Sequence, residues 1–151
     1  MNPESEILEK WIEKLANSHP QNAATLRAPK PDPFRNPVGY AIRMSLEQIW
    51  EQLQGGMDRD AIDSALDTVL RIRTVQDISP SEAVGFVIPL RWILRQAPGT
   101  FDLALLENRI DQLMQAAFDK YTQCRDQLRA VHLHETERLT RTRRVAGKAG
   151  A

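Results

Sequence analysis

Three histidines, one cysteine and several acidic pairs are the residues of this chain that could do chemistry, and their spacing decides what is open to them. A metal site needs its ligands on one surface. His132 and His134 stand two apart in a helical stretch, which puts them on different sides of the helix, and His19 lies in a polar loop. A haem sensor would need an axial histidine inside an apolar helical pocket, and none of the three has that setting. Asp58/Asp60 and Asp63/Asp67 read as the solvated face of a helix; a catalytic carboxylate would need a cleft and a shifted pKa. The lone Cys124 rules out an internal disulfide and any multi-cysteine metal site, and its place in an apolar stripe makes it a buried, inert thiol. There is no glycine-rich phosphate loop, Walker-type lysine or dinucleotide fingerprint. The expectation is a non-enzymatic protein with no cofactor and no bound metal.

One polar cluster stays ambiguous. Arg71, Arg73, Gln76 and Asp77 crowd between two strongly apolar helical stretches, just before an explicit helix start. Ser79 serves as N-cap, Pro80 takes the first helical position and Glu82 follows three residues after the cap. The favoured reading is structural: the guanidinium groups cap the preceding helix and Asp77 fixes the turn. The functional reading is a partly buried charge network that receives or passes on a signal. The other marked features read as structure too. Trp11, Trp50 and Trp92 lie on apolar helical faces and are expected as core anchors. The Arg141–Arg144 cluster, with no aromatic platform nearby, is expected to solubilise a tail, so nucleic acid is not the expected partner.

The elements that position these residues are helical. The first predicted helix runs from Pro3 to Ala16, capped by Asn2, with Ile7, Leu8, Trp11, Ile12 and Leu15 on one face. Five prolines between Pro20 and Pro37 mark an extended connector with one helical turn near Ala23–Leu26. A second helix starts at Asn36-Pro37 and ends at Gly55-Gly56, and a third spans about Asp58 to Thr74. The fourth starts at the Ser79 cap and ends before Pro98-Gly99. It is apolar nearly all round over Ala83–Leu90, which predicts the central helix, kinked near Gly85–Pro89. The fifth begins near Phe101 or Asp102 and meets no glycine or proline until Gly147. Its seam of Leu103, Leu106, Ile110, Leu113, Ala117, Tyr121, Cys124 and Leu128, then Val131, is heptad-like with one stutter at Tyr121. A helix of about 40 residues would be roughly 60 Å long, more than one small domain covers. Its end must project, fray or pair with another chain.

Bulk composition agrees with one soluble domain: 151 residues, 42% hydrophobic and 26% charged, with net charge zero. The zero conceals an asymmetry. Residues 129–151 carry six basic against two acidic side chains, +4, so residues 1–128 carry −4. No apolar run approaches the ~20 residues that span a bilayer, and the acidic start is not a signal peptide, so a cytoplasmic setting is expected. The fold class expected is all-α, a single bundle of about five helices over residues 1–128, with a projecting helix end and basic flexible tail over 129–151.

Two segments carry a family resemblance. Asn36-Pro37-Val38-Gly39-Tyr40, and the run from Arg71 to Phe86 with its capped helix start, resemble the RsbRD-type N-terminal domain. That family takes its name from the RsbT co-antagonist proteins of bacterial stress-signalling complexes, and the resemblance covers roughly residues 5–120. It implies an all-helical, dimeric, non-haem globin-like sensory bundle. Such domains usually precede a STAS output domain through a long helix. No βαβ pattern follows here, which implies a stand-alone sensory or adaptor domain, and no catalytic residue is implied. The resulting expectation is a signalling domain with a protein partner that homodimerises through the helix-five seam together with helix one. The alternative is a small-ligand sensor whose pocket lies beneath the central helix, with Arg71 or Arg73 turned into it.

Overall fold

The computed structural model describes residues 2–18, 23–27, 31–76, 78–97, 99 and 101–149. The described residues form seven α-helical segments and no strand: α1 (Pro3–Asn17), α2 (Ala23–Arg27), α3 (Pro37–Gln54), α4 (Arg59–Thr74), α5 (Pro80–Val84), α6 (Ile88–Gln96) and α7 (Leu103–Ala149). The starts follow local chemistry. Asn2, Asn36, Asp58 and Ser79 each accept a backbone N–H of the first turn, and proline occupies the first turn of α1, α3 and α5.

Gly39 is required by a close approach. A Cβ there would fall 2.5 Å from Asn36 Nδ2 and 2.6 Å from the Thr25 carbonyl. The freed space lets Asn36 do two jobs. Its Oδ1 accepts from Gly39 N at 3.0 Å, and its Nδ2 donates to the Thr25 carbonyl at 2.7 Å, fastening α2 to the start of α3.

The expected fourth helix is three pieces. Between α5 and α6 lies a 3-10 turn, Gly85–Val87. In such a turn the Phe86 carbonyl would accept from residue 89, which is proline and has no N–H. The Trp11 indole donates to that carbonyl instead, at 2.6 Å, and the Trp11 and Phe86 rings stack 6.2 Å apart. The kink predicted at Gly85–Pro89 is thus a break that α1 closes.

Two expectations about burial need correcting. The most extensively packed helix is α4, which lies against α3 on one side and α7 on the other. The α5–α6 stretch instead exposes Ile88 (64%) and Trp92 (54%) on its outer face. Trp11 and Trp50 are buried as expected, but Trp92 is a surface residue under Lys14, whose ammonium sits 5.3 Å from the ring centroid. The physical reason is that α6 touches the bundle along one stripe only, through Leu90, Ile93 and Leu94.

The third correction concerns the C-terminus. Helix α7 runs unbroken to Ala149, so the stretch expected as a flexible tail is helical. At 47 residues it is about 70 Å long. Every residue from Arg129 to Lys148 is exposed.

Candidate functional site

The corner between α4 and α5 divides into two halves because Arg71 and Arg73 stand two apart on a helix and point to different sides. Arg73 turns inward and is 2% exposed. Its Nε donates to the Ala83 carbonyl at 2.7 Å and its Nη2 to the Glu82 carbonyl at 2.6 Å, at the C-terminal end of α5. The guanidinium also lies 5.7 Å from the Phe86 ring centroid. Burial pushes its pKa down to about 10, partly offset by the Glu82 carboxylate. Arg73 is the tie that holds α5 onto α4.

Arg71 turns outward. Its Nε donates to Asp67 at 2.7 Å and its Nη2 to Gln127 at 2.8 Å, so it links α4 to α7 at the surface. The Asp67 hydrogen bond raises its pKa. Ser79 and Glu82 form the expected cap with one change. The Ser79 hydroxyl accepts from Glu82 N at 3.3 Å and donates to the Glu82 carboxylate at 3.1 Å. Gln76 is half-buried, and its Oε1 is buried with no partner among the described residues. Asp77 lies outside the described residues, so its expected place in the turn has no structural counterpart here.

The two segments behind the resemblance meet in space, although they lie far apart in sequence. Residues of the first (Asn36, Pro37, Val38) and of the second (Ile72, Val75, Gln76) line one groove of about 690 Å³ beside α2. Val75, at its edge, is 72% exposed and also borders a smaller groove of about 180 Å³ that reaches Leu128 and Val131 on α7. Arg73 is packed into the core, and Arg71 borders the 180 Å³ surface groove between α4 and α7 rather than a space beneath α5 and α6. Beneath α5 and α6 the space is filled by buried Trp11, Phe86, Val87, Leu90 and Leu94. A cleft of about 420 Å³ lies elsewhere, between the start of α1, the end of α3 and the start of α7. It is bordered by Arg109, whose Nη1 donates to the Leu53 and Gly55 carbonyls at 2.7 and 2.9 Å. Nothing in the sequence pattern marked this arginine as the cap of α3.

The heptad-like seam of α7 is placed differently from the expectation. Leu106, Ile110, Leu113, Ala117, Tyr121 and Cys124 are buried in the chain's own core. Leu103 is exposed at one end and Leu128 half-buried at the other. The reason is that α4, α5 and α6 of the same chain already cover this face. Cys124 sits 3.8 Å from Asp67 Oδ1, and burial pushes its thiol pKa up, away from reactivity. On the outer side α7 is tied to α6 by Arg95–Glu107, at 2.6 Å, and by Arg91–Asp111.

Among the described residues no cluster of three His, Cys, Asp or Glu could hold a metal ion, and no helix is long and apolar enough to cross a membrane. His132 and His134 stand on the exposed part of α7; His19 lies outside the described residues. Helix α7 contacts both α4 and α5 beside this corner and continues past them as an exposed helix. The family model for the RsbT co-antagonist protein rsbRD N-terminal domain matches residues 5–136. No curated protein and no solved structure matches the chain.

Proposed function

Because the chain belongs to the family of the RsbT co-antagonist protein rsbRD N-terminal domain, a bacterial stress-signalling regulatory domain, we propose that it works without catalysis, through protein–protein contacts made by α7. In this reading the domain is a cytoplasmic sensor or adaptor, and two copies associate along the projecting part of α7. A signal alters packing at the Arg71–Phe86 corner and the break before Pro89. Helix α7 carries the change outward, since it packs on α4, α5 and α6 together.

The observation that supports this reading is the wholly exposed helix beyond Leu128. Most helical stability in proteins comes from packing of an apolar face, and this part of α7 has none within its own chain, so its apolar positions favour a cover. Val131 is 54% exposed and Leu139 62%. Light scattering on the full chain at high micromolar concentration tests it. A dimer is expected, and Val131→Glu should leave a folded monomer with unchanged circular dichroism below its melting point. A full chain that stays monomeric would sink the association.

A further inference from the structure

The seam of α7 does not stop where the bundle stops. Continued in strict heptads from Tyr121, Cys124, Leu128 and Val131, it falls on Glu135, Arg138, Thr142 and Val145. All four are exposed. The projecting helix therefore carries the face that packs on α4 into solvent, with one acidic and one basic residue at its middle.

Those two charges discriminate between the ways a second copy could lie against it. In a parallel, in-register pair each position meets itself. Glu135 would face Glu135 and Arg138 would face Arg138, and the Arg141–Arg144 clusters of the two copies would lie side by side. In an antiparallel pair centred between residues 136 and 137, Glu135 faces Arg138 of the second copy, twice by symmetry. The same register sets Val131 opposite Thr142 and Leu128 opposite Val145. It also carries the basic end of each copy toward the body of the other, where residues 1–128 hold net −4.

A second observation agrees with this register. At the base of the projecting helix lies the groove of about 180 Å³ edged by Val75, Leu128 and Val131. In the antiparallel register Val145 of the second copy, itself 67% exposed, arrives opposite Leu128 at this groove. The overlap from Leu128 to Val145 spans about 26 Å.

We infer that the projecting parts of α7 from two copies pair antiparallel, with Glu135 against Arg138 of the second copy and Val145 seated beside Leu128. The inference rests on the association proposed above and adds its geometry. A charge-swap series on the full chain, followed by sedimentation equilibrium, tests it. Glu135→Arg and Arg138→Glu should each weaken the dimer by roughly tenfold, and the double swap should restore it, because each repulsion becomes an attraction again. A parallel pair would gain nothing from the double swap.

Cross-linking gives a second reading. In a Cys124→Ser background, Leu128→Cys with Val145→Cys should oxidise to a covalent dimer, while Leu128→Cys alone should not. A double swap without rescue, or cross-linking through Leu128→Cys alone, overturns the antiparallel register and leaves the association standing. A monomeric full chain overturns both, and duplex DNA or an acidic protein displacing the second copy would overturn the choice of occupant.

Discussion

At the scale of single residues, Arg73 shows why a buried guanidinium can be tolerated. A charge taken out of water is costly unless its donors meet acceptors, and here two carbonyls at the end of α5 need donors of their own. Removing the side chain leaves both sides unmatched. Arg73→Ala should cost about 3 kcal/mol in urea denaturation, and Arg73→Lys about 1–2 kcal/mol, because an ammonium cannot bridge both carbonyls in the same fork geometry. Ser79→Ala, at the exposed cap three residues before Glu82, should cost only about 1 kcal/mol. The capping residues and the Asn36-Pro37 start are visible in the sequence because they act within one turn of their own backbone. Arg73's partners are not: helical spacing puts Arg73 on the stripe of Leu66, Val69 and Leu70 and Arg71 on the face of Asp67, but the carbonyls that receive Arg73 lie on another element.

At the scale of elements, the break between α5 and α6 is a property of Pro89 and Trp11 together. The proline removes the donor that the Phe86 carbonyl would use, and a residue 75 positions away in sequence supplies another. Trp11→Phe keeps the ring stack and loses that donor, so it should cost about 1–3 kcal/mol in the same denaturation assay. Farther along α6, Arg95 donates to Glu107 on α7 and holds its carboxyl below the usual range. The sign follows from that direction. A carboxylate with a lowered pKa in the folded chain adds stability above its unfolded pKa and loses it as pH falls through the folded value. Glu107→Gln should therefore lower the melting temperature slightly at pH 7, and the difference from the parent chain should vanish in acid; a difference that persists at pH 2 would refute the pair's contribution.

At the scale of the whole molecule, the buried hydrophobic residues among those described lie between Ile7 and Cys124, while α7 continues to Ala149. Deleting residues 132–151 should leave the melting temperature within about 2 °C at concentrations too low for association, since no core contact is lost. The all-α class, the helix starts and the location of the kink are legible in the chain. They follow from periodicity of 3.6, from caps and from prolines, all of which act over a few residues. What only the tertiary structure decides is which apolar face meets which. The α7 seam reads equally well as a contact with another chain or with its own bundle, because a heptad pattern records that a face is covered and not by what. Trp92 reads like Trp11 until α6 is seen to touch the bundle along one stripe. The two segments that carry the resemblance become one groove only when α3 and α4 are packed side by side. Local geometry is encoded locally; the pairing of surfaces depends on the summed burial of the whole core, and so emerges only when the chain is folded.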